Sequence, residues 1–528
     1  MHLIAAALGK PFIPDWAQLR PFAAELWLLG AIVGVLLVPF WTRKSNAVSG
    51  LVALAGLAAA LLTLVAAHAT QPAEHLRGML LSDGVSFFWK VILLLFVMGV
   101  VLMWFTTTSA TMHEGDGPEF FTLLLGATIG MCLMASTGNL LMIFMAVEMA
   151  SLPSYVLAGF RKTDRLGSEA SLKYVLFGAA TSSIMLYGMS LLYGMYGSLM
   201  IEDLALRVWS GGSILIFVAL LALLVGIGFK ISAVPLHFWC PDVFEGAGVD
   251  VAAFLSVASK GAGLVLLLRV LMSIAGGSNY MRSDLLLGLA IGIGVMGAVT
   301  ATVGNTAAFV QKNIKRLLAY SSIAHAGYML CALSLLLKGS AADVDQASIA
   351  AQAILLYLAV YLFMNLGAFT VAGLIYRYTG SEDIDDYAAL GRRNPLLAFC
   401  MAAFMFSLVG LPPFAGFVAK LNVMYILGQN GGWWWTLVVV IGVNTIFSLY
   451  YYARVVRQMY LVDSDKPALS VNPLGAGLSF ACAVMLVAML IGFNPLLKLT
   501  GKYARLKLPQ RMAPAAQRTE PEAVAQTH

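Results

Sequence analysis

Residues Gly226–Lys260 read GIGFKISAVPLHFWCPDVFEGAGVDVAAFLSVASK. The apolar runs at both ends are long enough to enter a membrane, yet each holds a lysine, Lys230 and Lys260. Pro235 interrupts the first run, because proline has no amide donor and its ring clashes with the preceding helical turn. His237 follows it, and Asp242, Glu245 and Asp250 are expected to form a short acidic loop. An ammonium group at the centre of a span costs roughly 2.5–3.5 kcal/mol on insertion scales, and the default explanation for one is an ion or proton pathway. A broken helix at membrane depth exposes backbone carbonyls, which are tolerated only where protein or a water-filled cavity covers them. Lys230 and His237 are therefore expected beside water.

The rest of the chain has the composition this reading needs. Of its 528 residues 60% are hydrophobic and 11% charged, against about 25% charged in an ordinary soluble domain, and the mean hydropathy is +0.86. A span takes about 20 apolar residues. Fourteen candidates begin near Phe22, Asn46, Gly84, Pro118, Gly138, Glu169, Ser213, Val249, Asp284, Ile314, Ser348, Asn394, Trp433 and Pro473. The predicted fold class is an all-α polytopic membrane protein of about fourteen transmembrane helices.

Composition also excludes several classes. The five cysteines stand singly in or beside apolar runs, whereas zinc and iron–sulfur sites need clustered thiolates, so no metal site is expected. No nucleophile–base pair or glycine-rich phosphate loop is present. The formal charge of +6 is not gathered into a groove interleaved with aromatics; lipid headgroups account for it, and no nucleic acid partner is expected. The opening MHLIAAALGKPFIPDW lacks a basic region and a cleavage site, so no cleaved signal peptide is expected.

Spans one to three hold few ionisable groups beyond Glu25 and Lys90, both near predicted ends, and read as scaffolding. Span five carries Glu148 near its middle, with Ser151 and Tyr155 on the same face at i+3 and i+7. Span six has Lys173 in its first turns, where snorkelling to the interface is an even alternative. Span ten holds Tyr320 and, near its centre, His325, a residue type that on an apolar face is more often a hydrogen-bonded core residue than a functional one. Span twelve is broken at Gly410-Leu411-Pro412-Pro413 and carries Lys420 beyond the break. Each half thus has a proline-interrupted span with a buried lysine, the pattern of a transporter-type repeat with its site at the midplane. Static ion pairs that fix helix packing are the plainer alternative; four midplane charges (Glu148, Lys230, Lys260 and Lys420), two breaks and two histidines weigh against it.

The runs Met145–Phe160 (MAVEMASLPSYVLAGF), Phe229–Gly248, Asn313–Leu330 (NIKRLLAYSSIAHAGYML) and Gly410–Lys420 (GLPPFAGFVAK) resemble the antiporter-like membrane subunits of proton-pumping NADH:quinone oxidoreductase, respiratory complex I. The resemblance covers about Pro118 to Tyr460. A lysine at position 420 and the lack of a long C-terminal lateral helix favour the subunit N branch, called subunit 2 in mitochondria, over subunits M and L. It implies two inverted five-helix repeats, 118–275 and 284–461, each with a discontinuous helix, after an N-terminal scaffold (1–117) and before a last span (470–500) and a disordered tail (501–528). It also implies roles: Glu148 and Lys230 a coupling pair, Lys260 a central relay, Lys420 the exit side, and Lys173, His237, Tyr320 and His325 parts of a hydrated polar axis. No redox cofactor is implied in this chain; FMN, iron–sulfur clusters, NADH and quinone belong to the rest of the complex. Implied partners are subunit M, small subunits such as K and J, and lipids. A subunit of a multisubunit cation/proton antiporter or membrane-bound hydrogenase is the alternative, and a purely structural membrane scaffold a second. The basic loops after spans one, five, nine, eleven and thirteen are expected on the cytoplasmic side of a bacterial plasma membrane. Both termini would then be periplasmic, in conflict with the basic tail.

Overall fold

The computed structural model describes residues 15–41, 45–67, 73–108, 113, 115–161, 164–207, 214–276, 283–337 and 344–504. Among them thirteen helices are long and apolar enough to cross a membrane. In chain order these are α1 (Ala23–Trp41), α2 (Asn46–Ala66), α3 (Gly84–Thr107), α4 (Gly117–Met134), α5 (Leu140–Ala158), α6 (Arg165–Tyr196), α7a (Ile214–Ile231), α8 (Val249–Ser273), α9 (Ser283–Ala308), α10 (Ile314–Leu333), α11 (Val344–Thr379), α13 (Trp434–Leu461) and α14 (Pro473–Ile491). The fourteenth expected span is present as two short halves, α12a (Pro395–Val409) and α12b (Ala415–Gln429).

Sequence sets where these helices start. Asp83, Asn139, Asp164, Asn313, Asn394 and Asn472 each stand just before a helix and accept hydrogen bonds from its first free amides. Their side-chain oxygens replace the partners that the helix itself cannot supply. A two-stranded antiparallel ribbon, β1 (Ala73–His75) and β2 (Leu80–Ser82), pairs Ala73 with Ser82 between α2 and α3.

Apolar exposure separates the helices into a belt and a centre. Leu172 and Leu176 on α6, Phe217 on α7a and Ile446 on α13 point outward, as spans facing hydrocarbon must. By contrast α8 is enclosed by protein along its whole apolar length, and α10 and α11 nearly so. Small residues allow this close approach: a Cβ at Gly261 of α8 would come 2.2 Å from the Trp89 ring of α3, and one at Gly327 of α10 2.4 Å from the Ala301 nitrogen of α9.

Both breaks lie where prolines predict them, and each falls in the fourth member of a run of five helices, α4–α8 and α9–α13. After α7a the chain turns through Ser232, at φ +62°, and resumes as α7b (Trp239–Gly246). Asp242 and Glu245 lie on α7b and Asp250 in the first turn of α8, so the expected acidic loop is helical. The tail expectation also changes: α15 (Phe493–Ala504) carries residues 501–504 in a helix packed against Phe87 and Phe88 of α3. Residues 505–528, Arg43, Lys44 and Lys162 lie outside the described residues.

Glu25 and Lys90, expected near span ends, are buried and form an ion pair at 2.6 Å with side chains 7% and 3% exposed. A second buried pair ties α8 to the same region. Arg269 donates through Nη2 to both oxygens of Asp83, at 2.9 and 3.0 Å, and through Nε to the Ala135 carbonyl.

Candidate functional site

The first break leaves backbone groups that need partners at membrane depth. Trp239 Nε1 donates to the Phe229 carbonyl at 3.1 Å, closing the end of α7a. The Val234 amide donates to Thr300 Oγ1 of α9 at 3.0 Å, so the break is anchored on the second group of five helices. Lys230, fully buried one residue before the helix end, donates to Ser151 Oγ of α5 at 2.8 Å. Ser151 in turn donates to the Val147 carbonyl. Glu148 acts on Lys230 through space, but the two form no ion pair within 4.0 Å among the described residues. The hydrogen bond that Lys230 makes is thus to the serine, while Glu148, its expected coupling partner, acts on it across a gap and has Oε1 buried without a hydrogen-bond partner. The cause is helical geometry: Ser151, three residues on, shares the Glu148 face, and its short side chain lets the lysine reach it.

Lys260 follows a π-turn, Leu255–Ser259, inside α8. Such turns widen a helix by one residue and often mark functional sites. The ammonium, 1% exposed, donates to Ser322 Oγ of α10 at 2.5 Å and to Cys240 Sγ of α7b at 3.2 Å, and lies over the Phe244 ring. One turn along α10 from Ser322, His325 is buried, with Nδ1 2.7 Å from the Tyr357 hydroxyl of α11. His237, mostly buried beside the first break, has an unpartnered Nδ1.

At the second break Lys420 reaches back across the gap. Its Nζ donates to the Val409 carbonyl, the last of α12a, at 2.8 Å and lies 4.8 Å from the Tyr328 ring centre. A cation at a helix C-terminus satisfies a free carbonyl and meets the negative end of the helix dipole. Gly410, at φ +88°, makes the turn possible. Gly416 lets α12b start against α12a, since a Cβ there would lie 1.8 Å from the Ser407 carbonyl oxygen. Tyr328 accepts from Asn305, which also donates to Asn444 and accepts from Tyr451.

Not every expected residue joins this interior line. Lys173 has a side chain 38% exposed and pairs with Glu169 and Asp242, both at 2.8 Å. It belongs to a rim cluster in which Arg316 also grips Asp242 and Glu245. Tyr320, partly buried, is one turn from Arg316 on that side. Ser322, Cys240, Tyr357, Asn305 and Asn444 were not singled out by sequence, because single hydroxyls, thiols and amides in apolar helices are common. Only the companion lysine or histidine distinguishes them.

The matching family model is described as NADH:quinone oxidoreductase/Mrp antiporter, TM, and spans residues 137–448. That range includes all eight expected site residues. NADH-quinone oxidoreductase subunit N of Anaeromyxobacter sp. is 39% identical over 89% of this chain and 93% of its own length. The chain belongs to this NADH:quinone oxidoreductase/Mrp antiporter family. Among solved structures, a chain of respiratory complex I from Thermus thermophilus matches with a TM-score of 0.74 and 33% identity, over 90% of this chain and 99% of that one. A chain of the Mrp complex from Dietzia sp. has a TM-score of 0.78 at 20% identity, over 92% and 97%; at that identity it shows a shared fold.

Proposed function

We propose that this chain is the antiporter-like subunit N of a bacterial NADH:quinone oxidoreductase, a translocase subunit that moves protons through the plasma membrane within the membrane arm. NADH oxidation and quinone reduction occur elsewhere in that assembly, beside other antiporter-like and small membrane subunits. The observation that carries the reading is the interior series Lys230–Ser151, Lys260–Ser322, His325–Tyr357 and Lys420–Tyr328. It runs through the most enclosed helices and joins two broken ones. Intramembrane ionisable groups are expensive unless they serve a pathway. A low-dielectric interior disfavours the charged form of lysine, and a neighbouring carboxylate restores it. A change in the position of Glu148 relative to Lys230 then loads or unloads the first station, and the later lysines take up the proton in turn.

In this reading the loops after α5, α9, α11 and α13 face the cytoplasm and both termini the periplasm. The exposed Lys498 and Lys502 of α15 then meet lipid headgroups on the periplasmic side. Membership of a cation/proton antiporter or a hydrogenase is the weaker reading, because the near relatives over most of the chain are quinone oxidoreductase subunits.

The test is proton translocation by the assembled complex in inverted membrane vesicles. Lys230→Ala and Lys420→Ala are expected to lose most of the protons moved per NADH, with NADH oxidation by an artificial acceptor retained. Full stoichiometry in both variants would leave the chain a scaffold.

A further inference from the structure

A cavity of about 250 Å³ opens on the face that carries the loops after α5, α9 and α11. Its charged lining is Arg161, Asp164, Glu245, Lys315, Glu382 and Asp383, drawn from both groups of five helices. Lys315 is at its inner end, with a side chain only 3% exposed. Its Nζ is 2.6 Å from Glu382 and donates to the Ala247 carbonyl at 2.7 Å. On α10, Lys315, Ala319 and Ser322 fall at i, i+4 and i+7 and so share one face. The Ala319 carbonyl accepts from Ser322, and Ser322 is the hydroxyl that holds Lys260. Seven residues at about 1.5 Å each put Lys315 about 10 Å along the helix from that hydroxyl.

The neighbouring helix continues the line. Asp250, in the first turn of α8, is 1% exposed and its Oδ2 has no hydrogen-bond partner, although Arg161 of the cavity acts on it. Buried oxygens are nearly always satisfied by protein or by ordered water, and the Asp250 carboxylate is the one that a cavity residue acts on.

We propose that this cavity is the mouth of a proton route to Lys260 between α8 and α10, with the Lys315–Glu382 pair as its gate and Asp250 as a carboxylate station behind it. The entrance is thus at the junction of the two helix groups, not within the first beside Glu148 and Lys230. Glu382 takes up the entering proton, which loosens its hold on Lys315 and opens the inner end of the cavity, and it recloses the gate when it passes the proton inward; a glutamine there carries no proton and cannot complete the cycle. The inference rests on proton translocation as the function of the chain.

The experiment uses the assembled complex in inverted vesicles, with protons per NADH referred to the flavin content of assembled complex. Lys315→Met and Glu382→Gln are expected to lose most of the protons per NADH and Glu382→Asp to recover part, while exposed Lys312→Ala keeps the full value. In a second arm, Leu166→Cys on the cavity rim is treated with a membrane-impermeant cationic thiol reagent; the five native cysteines are buried. Pumping is expected to stop only when the reagent is on the cytoplasmic face. Full stoichiometry in assembled Lys315→Met and Glu382→Gln, or in labelled Leu166→Cys, overturns the entrance. Lys230→Ala in the same vesicles separates the two readings. If it alone loses pumping, only the entrance fails; if it too pumps fully, proton translocation through this chain fails.

Discussion

Ser151 shows how much one hydroxyl decides. Lys230 lies in its hydrogen-bonding range, and Glu148 does not pair with the lysine directly. The serine thus fixes where the ammonium rests, while the carboxylate acts on it at a distance. Ser151→Ala is expected to remove that rest position without removing either charge. Protons per NADH should fall by less than in Lys230→Ala, and Ser151→Thr should restore them; equal losses in Ser151→Ala and Lys230→Ala would mean that Glu148 is not the partner that matters. The lysines themselves were legible in sequence, because an ionisable side chain inside an apolar run stands out whatever its partner. Their partners were not. Whether Lys230 meets Glu148 or Ser151 depends on a few ångströms between α5 and α7a, and no pattern within either helix encodes that distance.

At the level of elements, starts and breaks were readable and ends less so. Asparagine, aspartate and proline act locally, and each left its mark where the chain predicts. Lys173 shows the limit of local reasoning: two turns into α6 its position fits a polar axis and a snorkelling side chain equally well, and only the acids of α6 and α7b fix it at the rim. The π-turn before Lys260 had no signal, since LSVAS carries neither proline nor glycine and is compatible with an ordinary helix. Loop pairing at this scale gives a pH test. Lys466, on the segment between α13 and α14, bonds the Asp386 carboxylate and holds it below the usual carboxylate range. A lowered value in the folded state means that the contribution is present at and above the ordinary carboxylate range, and is lost as pH falls through the lowered value. The protection factor of the amides over residues 384–388, with exchange referred to the intrinsic rate at each pH, is expected to fall in acid in the native chain and to be low already at neutral pH in Asp386→Asn. An identical pH profile for the two would remove the pair from the account.

For the molecule as a whole, fold class and family were legible because hydropathy repeats on the scale of a bilayer and the motifs surround the breaks. The N-terminal spans hold more than their reading as scaffolding implied. Glu25 and Lys90 stand near span ends, as expected, in the first turn of α1 and the second of α3, but they are buried there as an ion pair that no pattern within either span announces. Removing one member of a buried pair leaves an uncompensated charge, a loss of about 3–5 kcal/mol, while replacing both by apolar or neutral groups is often tolerated. Lys90→Met is therefore expected to lower the melting temperature and yield of the assembled complex, and Lys90→Met with Glu25→Gln to recover most of both. A double variant no better than the single would show that the charges act separately.

The bond between Arg269 and Asp83 has a consequence for how the chain is made. The two residues are 186 positions apart, and at about 5–20 residues per second that is a delay of roughly 10–40 s. Through that interval α3 has left the ribosome with the acid that caps it still waiting for its guanidinium. The first three spans cannot be completed as a finished unit ahead of the rest. They must be held, by insertion machinery or lipid, until α8 arrives to lock them.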